Sequence, residues 1–197
     1  MYKNRNRISM IIPAIAIVIG IFAIVIFGSS LLSRKPSPTD VSDAGEEALV
    51  NIDAGSGIRM TLRGKINAEE VHGSYQITIR PDSRVMRVYQ GYLDKVIAEK
   101  AVDNNYEAYT EFSYAVQRSG MMDGRELTES EGDVRGICPA GKLTRFEVLQ
   151  DDRTIKTLWH TSCSKDKESF EGKYKPIEKL FLAQITEYKT LLKGTKF

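Results

Sequence analysis

Apolar positions are arranged in three different ways along this chain, and each arrangement marks a different kind of element. The first is a continuous run. From Ile8 to Ser33 there is no charged residue, and Met10–Phe27 is almost wholly apolar. Pro13 and Gly20 interrupt the run, but both are tolerated in membrane helices. About 20 residues rising about 1.5 Å each cross a hydrocarbon core of about 30 Å. Residues 1–33 are therefore expected to be a short N-terminal stub and one transmembrane helix.

The second arrangement is alternation. Ile58, Met60, Leu62 and Ile66 alternate with Arg59, Thr61, Arg63 and Lys65, the period of a strand with one apolar and one basic face. Tyr75, Ile77 and Ile79 alternate with Gln76, Thr78 and Arg80, and Val85–Tyr89 returns after Pro81-Asp82-Ser83. A turn at Asp82-Ser83 predicts Met86 opposite Ile79 and Val88 opposite Ile77, giving a three-stranded meander. Tyr92–Val102 has no decisive pattern. Further on, Phe146 and Val148, then Ile155, Thr157 and Trp159, alternate about Gln150-Asp151. A turn there predicts Phe146 against Ile155 and places Cys138 opposite Cys163. His160, on the other parity from Trp159, is expected to face solvent.

The third arrangement is helical. Asn104 precedes Tyr106, with Glu107 placed as a capping-box partner. Tyr109, Phe112 and Val116 share one face beyond it, Tyr106 is expected to pack with Tyr109, and Gly120 closes the helix. Pro176 suits the first turn of a last helix. Its stripe runs through Ile177, Leu180, Phe181, Ile185, Tyr188, Leu191 and Leu192 to Gly194. The expected fold is α+β over residues 58–197, in the order βββ-α-ββ-α, with helices packed on one face of a small antiparallel sheet. Residues 34–57, with Pro36, Pro38, Gly45, Gly55, Gly57 and several Ser and Asp, read as a flexible linker.

Charge adds an address. The chain holds 28 basic and 26 acidic residues, but Lys3, Arg5 and Arg7 belong to a stub with no acid. The rest is close to neutral, with no overall electrostatic reason to expect nucleic acid. The positive excess before the apolar run favours a cytoplasmic N-terminus and an extracytoplasmic C-terminal domain, single-pass in the cell membrane. The competing expectation is a cleaved signal peptide, with Gly28-Ser29-Ser30 as its processing site. Cys138 and Cys163 are the only cysteines. Two thiols without a C-x-x-C pair do not form a four-ligand zinc site, and one disulfide fits an oxidising compartment.

Candidate chemistry is sparse. Met121–Gly136 is rich in Asp and Glu without the order of an EF-hand loop, and reads as a solvated loop. His72 and His160 stand outside any nucleophile or zinc-protease motif. No catalytic residue, cofactor or metal is expected. Two sets of residues remain as candidates. One is a basic sheet face carrying Arg59, Arg63, Lys65, Arg80 and Arg87. The other is a set of aromatic contacts at Tyr89, Tyr92 and Tyr114. The leading expectation is a membrane-anchored binding or assembly module of the cell envelope, meeting an envelope protein or an anionic wall polymer. The rival expectations are an envelope hydrolase and an inhibitor-like domain acting on an envelope protease.

Overall fold

Six strands pair into one antiparallel sheet. The computed structural model describes residues 38–92, 95–128, 134, 136–163 and 168–197. Strands β1 (Ser56–Arg63), β2 (Gly73–Ile79), β3 (Ser83–Gln90), β4 (Lys95–Asp103), β5 (Leu143–Gln150) and β6 (Arg153–Thr161) lie in the order β4-β3-β2-β1-β5-β6. Among the described residues, four helices complete the element order: α1 (Pro38–Val50), α2 (Tyr106–Arg118), α3 (Tyr174–Ala183) and the single turn α4 (Tyr188–Leu191). The class is α+β, as the alternation and the helical stripes predict. No helix among the described residues is long and apolar enough to cross a membrane, and the expected anchor over residues 1–33 lies outside them.

One side of the sheet carries the core. Ile58, Met60, Leu62, Tyr75, Ile77, Ile79, Met86, Val88, Phe146, Val148 and Leu158 are buried on it. Tyr109, Phe112 and Val116 of α2 and Ile177 and Phe181 of α3 cover them in the same cluster. Phe112 and Phe181 meet edge to face, with ring centroids 5.2 Å apart.

Several expectations need correction. The segment expected as a flexible linker is helical over Pro38–Val50, and Leu49 is buried in the core. Its Pro, Asp, Ser and Gly content disguised a helix whose anchoring depends on a few positions. Gly45 is one of them, because a Cβ there would overlap the Lys156 side chain. Ser113 Oγ donates to the Leu49 carbonyl and holds the end of α1. A fourth strand, β4, occupies part of the stretch that showed no pattern. Its residues are exposed or half-buried throughout, as an edge strand's are, so it lacks a strong apolar signal.

Both hairpin registers differ from expectation. Arg80 N–H donates to the Ser83 carbonyl, so the first turn is centred on Pro81-Asp82 and Ile77 pairs with Met86. That slip is even and leaves every side chain on its expected face. The second hairpin turns at Asp151-Asp152, both with positive φ (48° and 65°), the conformation a type I′ turn demands. A bulge follows, and Phe146 pairs with Leu158. This slip is odd. Lys156 and Leu158 therefore face the core side, while Ile155, Thr157 and Trp159 face the other, against expectation. The disulfide Cys138–Cys163 forms nonetheless, because both cysteines lie beyond the strand ends.

The helix ends differ in detail. Asn105, not Asn104, caps α2 by accepting from Ala108 N–H at 2.9 Å, whereas the Asn104 amide donates to the Arg80 carbonyl. Gly120 closes that helix with φ 72°. The final stripe is not one helix. It breaks after Ala183, and Glu187 adopts φ 62° before α4. The β-branched pair Ile185-Thr186 falls at this break, where helix propagation is weakest. Ile185 remains buried all the same.

Two outcomes check this packing. Leu49→Ala should lower the unfolding free energy by about 2–5 kcal/mol, as core truncations do, while Val50→Ala, at an exposed position, should change it little. Urea titration of both variants measures the difference. Cys138→Ser with Cys163→Ser should lower stability by roughly 3–4 kcal/mol in the chain-entropy treatment, for a loop of 25 residues. The check is the same titration on oxidised wild type.

Candidate functional site

Among the described residues, the helices pack on the core side and none covers the opposite face of the sheet. Alternation decides what it displays. Across the strands, one row reads Glu99, Arg87, Gln76, Thr61, Arg145 and Trp159 from β4 to β6. The next row places Arg59 between Thr78 and Glu147. On the other flank, Arg63 stands between Ser74 and Leu143, with Tyr89 beyond Ser74.

Of the expected basic set, Arg59, Arg63 and Arg87 share this open face. Arg80 stands at the end of β2, where it ion-pairs with Asp152. Lys65 lies past the end of β1 and is exposed. The face is less positive than the alternation alone suggests, because acids are interleaved with the arginines. Arg87 Nε meets Glu99 at 2.9 Å, and this hydrogen bond holds its guanidinium above its usual value. Arg59 grips Glu147 with two hydrogen bonds, of 2.8 and 3.0 Å.

Glu147 is the centre of the arrangement. Its side chain is 4% exposed, and Arg145 Nε also lies 3.0 Å from Oε2. Burying a carboxylate is unfavourable unless it is paired and hydrogen-bonded. Two guanidiniums supply the pairing here. The Arg145 guanidinium in turn lies over the Trp159 ring, 5.4 Å from its centroid. Burial pulls the Arg145 pKa below the usual guanidinium value, Glu147 opposes that pull, and nearby Arg59 and Arg63 add to it.

The aromatic candidates do not converge. Tyr89 is half-buried on the open face, while Tyr114 is exposed on α2, on the other side of the sheet. Tyr92 follows β3 and stacks on His72 with ring centroids 4.2 Å apart. Tyr106, expected to pack with Tyr109, is 57% exposed, and its hydroxyl donates to the Ile52 carbonyl. Near Arg63 and Leu143, a recess of about 250 Å³ is walled by Ile66, His72, Tyr92 and Cys138.

Three residues of the candidate site escaped the sequence reading. Arg145 and Glu147 were visible as the polar partners of Phe146, but their cross-strand neighbours were not. Trp159 was assigned to the wrong face by the odd slip at the second hairpin. His160 was expected in solvent and is instead half-buried, stacked on Tyr174 at 4.2 Å, with Nδ1 against the Glu168 carboxylate. Lys175 lies over the Tyr174 ring as well, so this aromatic group serves its own packing. Among the described residues, no three His, Cys, Asp or Glu side chains gather as a metal-binding set. No protein-family model matches the chain, and no curated protein sequence matches it.

The depth of the two ion pairs sets the expected outcome of removing each. Glu147→Gln leaves Arg59 and Arg145 without their buried counter-charge and should lower stability by about 1–3 kcal/mol. Glu99→Gln breaks a pair whose members are 44% and 43% exposed, and should cost less than about 1 kcal/mol. Chemical denaturation of the two variants in parallel distinguishes them.

Proposed function

We propose that this chain is a membrane-anchored binding module of the cell envelope, whose open sheet face docks a protein partner on the extracytoplasmic side. The supporting observation is the composition of that face. Arginines and aromatic residues are the types enriched where proteins meet proteins. Arg59, Arg63, Arg87 and Arg145 stand there beside Trp159, Tyr89 and Leu143.

The address rests on the apolar run of residues 8–33 and on the positive charge that precedes it. A disulfide between Cys138 and Cys163 accords with an oxidising compartment. An anionic wall polymer fits the face less well than a protein does. Arg59, Arg80 and Arg87 are already paired with Glu147, Asp152 and Glu99, which lowers the charge density such a polymer selects.

Site-specific photo-crosslinking in intact cells tests the reading. A benzophenone side chain at Thr78 or Thr157, both on the open face, should give a protease-sensitive adduct. The same group at Glu111, exposed on α2, should give none. Equal yields at all three positions, or adducts that resist protease, would overturn the protein-docking reading. Protease added outside intact cells should degrade the domain. Full protection until lysis would reverse the topology.

A further inference from the structure

Arg63 and Leu143 pair across β1 and β5 at one end of the sheet and stand beside the recess of about 250 Å³. Ile66, Tyr92, Val134 and Leu143 give that recess a mainly apolar lining. Its walls are tied to the fold before anything enters. Ile66 N–H donates to the Pro139 carbonyl at 2.8 Å. The Tyr92 hydroxyl accepts from Asn67 N–H at 2.9 Å and donates to the Asn67 carbonyl at 2.6 Å. The Tyr92 ring also stacks on His72, with 13° between the planes. His72 is itself buried, and its Nδ1 donates to the Lys65 carbonyl at 3.1 Å. Cys138, on another wall, is bridged to Cys163.

Two of these walls face solvent all the same: Ile66 is 54% exposed and Tyr92 47%. One exposed apolar side chain is ordinary, but two fixed ones around a single recess are an apolar surface maintained in water. We infer that the recess is a binding site for a single uncharged aromatic ring, independently of the docking reading. Size supports this, because an apolar cavity of about 150 Å³ admits benzene. The space here takes one ring with a short substituent. Chemistry supports it too. Tyr92 offers a ring for stacking, and the guanidinium of Arg63 favours a π face over a saturated ring. Arg63 has a partner of its own, so shape and π contact, not free charge, select the ligand. A sugar fits poorly, since its hydroxyls would meet Ile66, Val134 and Leu143 unpaired. Walls fixed in advance spare the ligand the cost of ordering them. A free aromatic molecule and a Phe, Tyr or Trp side chain share this chemistry.

The full chain, in a maltoside detergent that contains no aromatic ring and with its leucine methyls isotope-labelled, is titrated with phenol and with cyclohexanol. The two probes are close in size and polarity and differ in the ring. Phenol should shift the Leu143 methyl signals saturably, and should bind at least about threefold more tightly than cyclohexanol. Ile66→Asp places a charge in the wall at an exposed position, and should weaken phenol binding by roughly tenfold. Val96→Asp, exposed on β4, should leave it unchanged. If Ile66→Asp melts early, Ile66→Ser replaces it, with a fall of about threefold expected from the lost apolar contact.

No saturable shift at Leu143 with phenol overturns the inference. So does cyclohexanol binding as tightly as phenol, or the Ile66 variant binding phenol as wild type does. A Gly-Tyr-Gly peptide blocked at both ends separates the two sources of the ring. Peptide binding at least as tight as that of phenol supports an aromatic side chain of another protein as the occupant. Binding of phenol without the peptide supports a free aromatic molecule.

Discussion

The constraint on which the rest depends is that the described helices cover one side of this sheet only. A strand sends alternate side chains to opposite faces, so helices packed on one face oblige each strand to divide its residues between oil and water. Ile58, Met60 and Leu62 on β1 go one way, and Arg59, Thr61 and Arg63 the other. β1 lies between β2 and β5 in the interior of the sheet, so its polar side has neighbours on both flanks. The arginines of β1 are therefore placed by the same alternation that builds the core. Moving them would mean unpacking the protein.

How much of this is readable from sequence depends on which physical signal carries each element. β1, β2 and β3 were legible because unbroken alternation fixes the face, and an error of two residues in register leaves the face intact. β6 was not, because its facing is decided by a turn at Asp151-Asp152 and a bulge beside it. Neither leaves a compositional mark strong enough to outweigh the alternation of Ile155, Thr157 and Trp159. Beside Leu158, the core side of that stretch holds Lys156, whose ammonium donates to the Met122 carbonyl at 2.9 Å. A lysine on the core side is the reverse of what polarity predicts. Helix α1 was hidden by the same kind of exception, since Gly45 lies against that lysine's aliphatic stem. The two misreadings have one source.

The candidate site inherits this pattern. Its basic half was legible, because Arg59, Arg63 and Arg87 follow from the strands whose faces were secure. Its acidic and aromatic half depended on the β1–β5 and β5–β6 registers, and these are long-range facts. Arg59 and Glu147 are 88 positions apart in the chain. Only their adjacency converts a basic stripe into an interleaved surface.

That conversion changes what the surface can select. A purely basic face attracts any polyanion, and its affinity is mostly a matter of charge density and salt. A buried carboxylate set among arginines removes part of that general attraction. It also holds the guanidiniums of Arg59 and Arg145 in position, because both lie against the one buried charge that they pair. Discrimination against the wrong ligand then comes from a repulsive element as well as an attractive one. Glu147 is that element. It makes the face less sticky and more geometrically demanding, properties that support the proposal of a docking face selective for one partner.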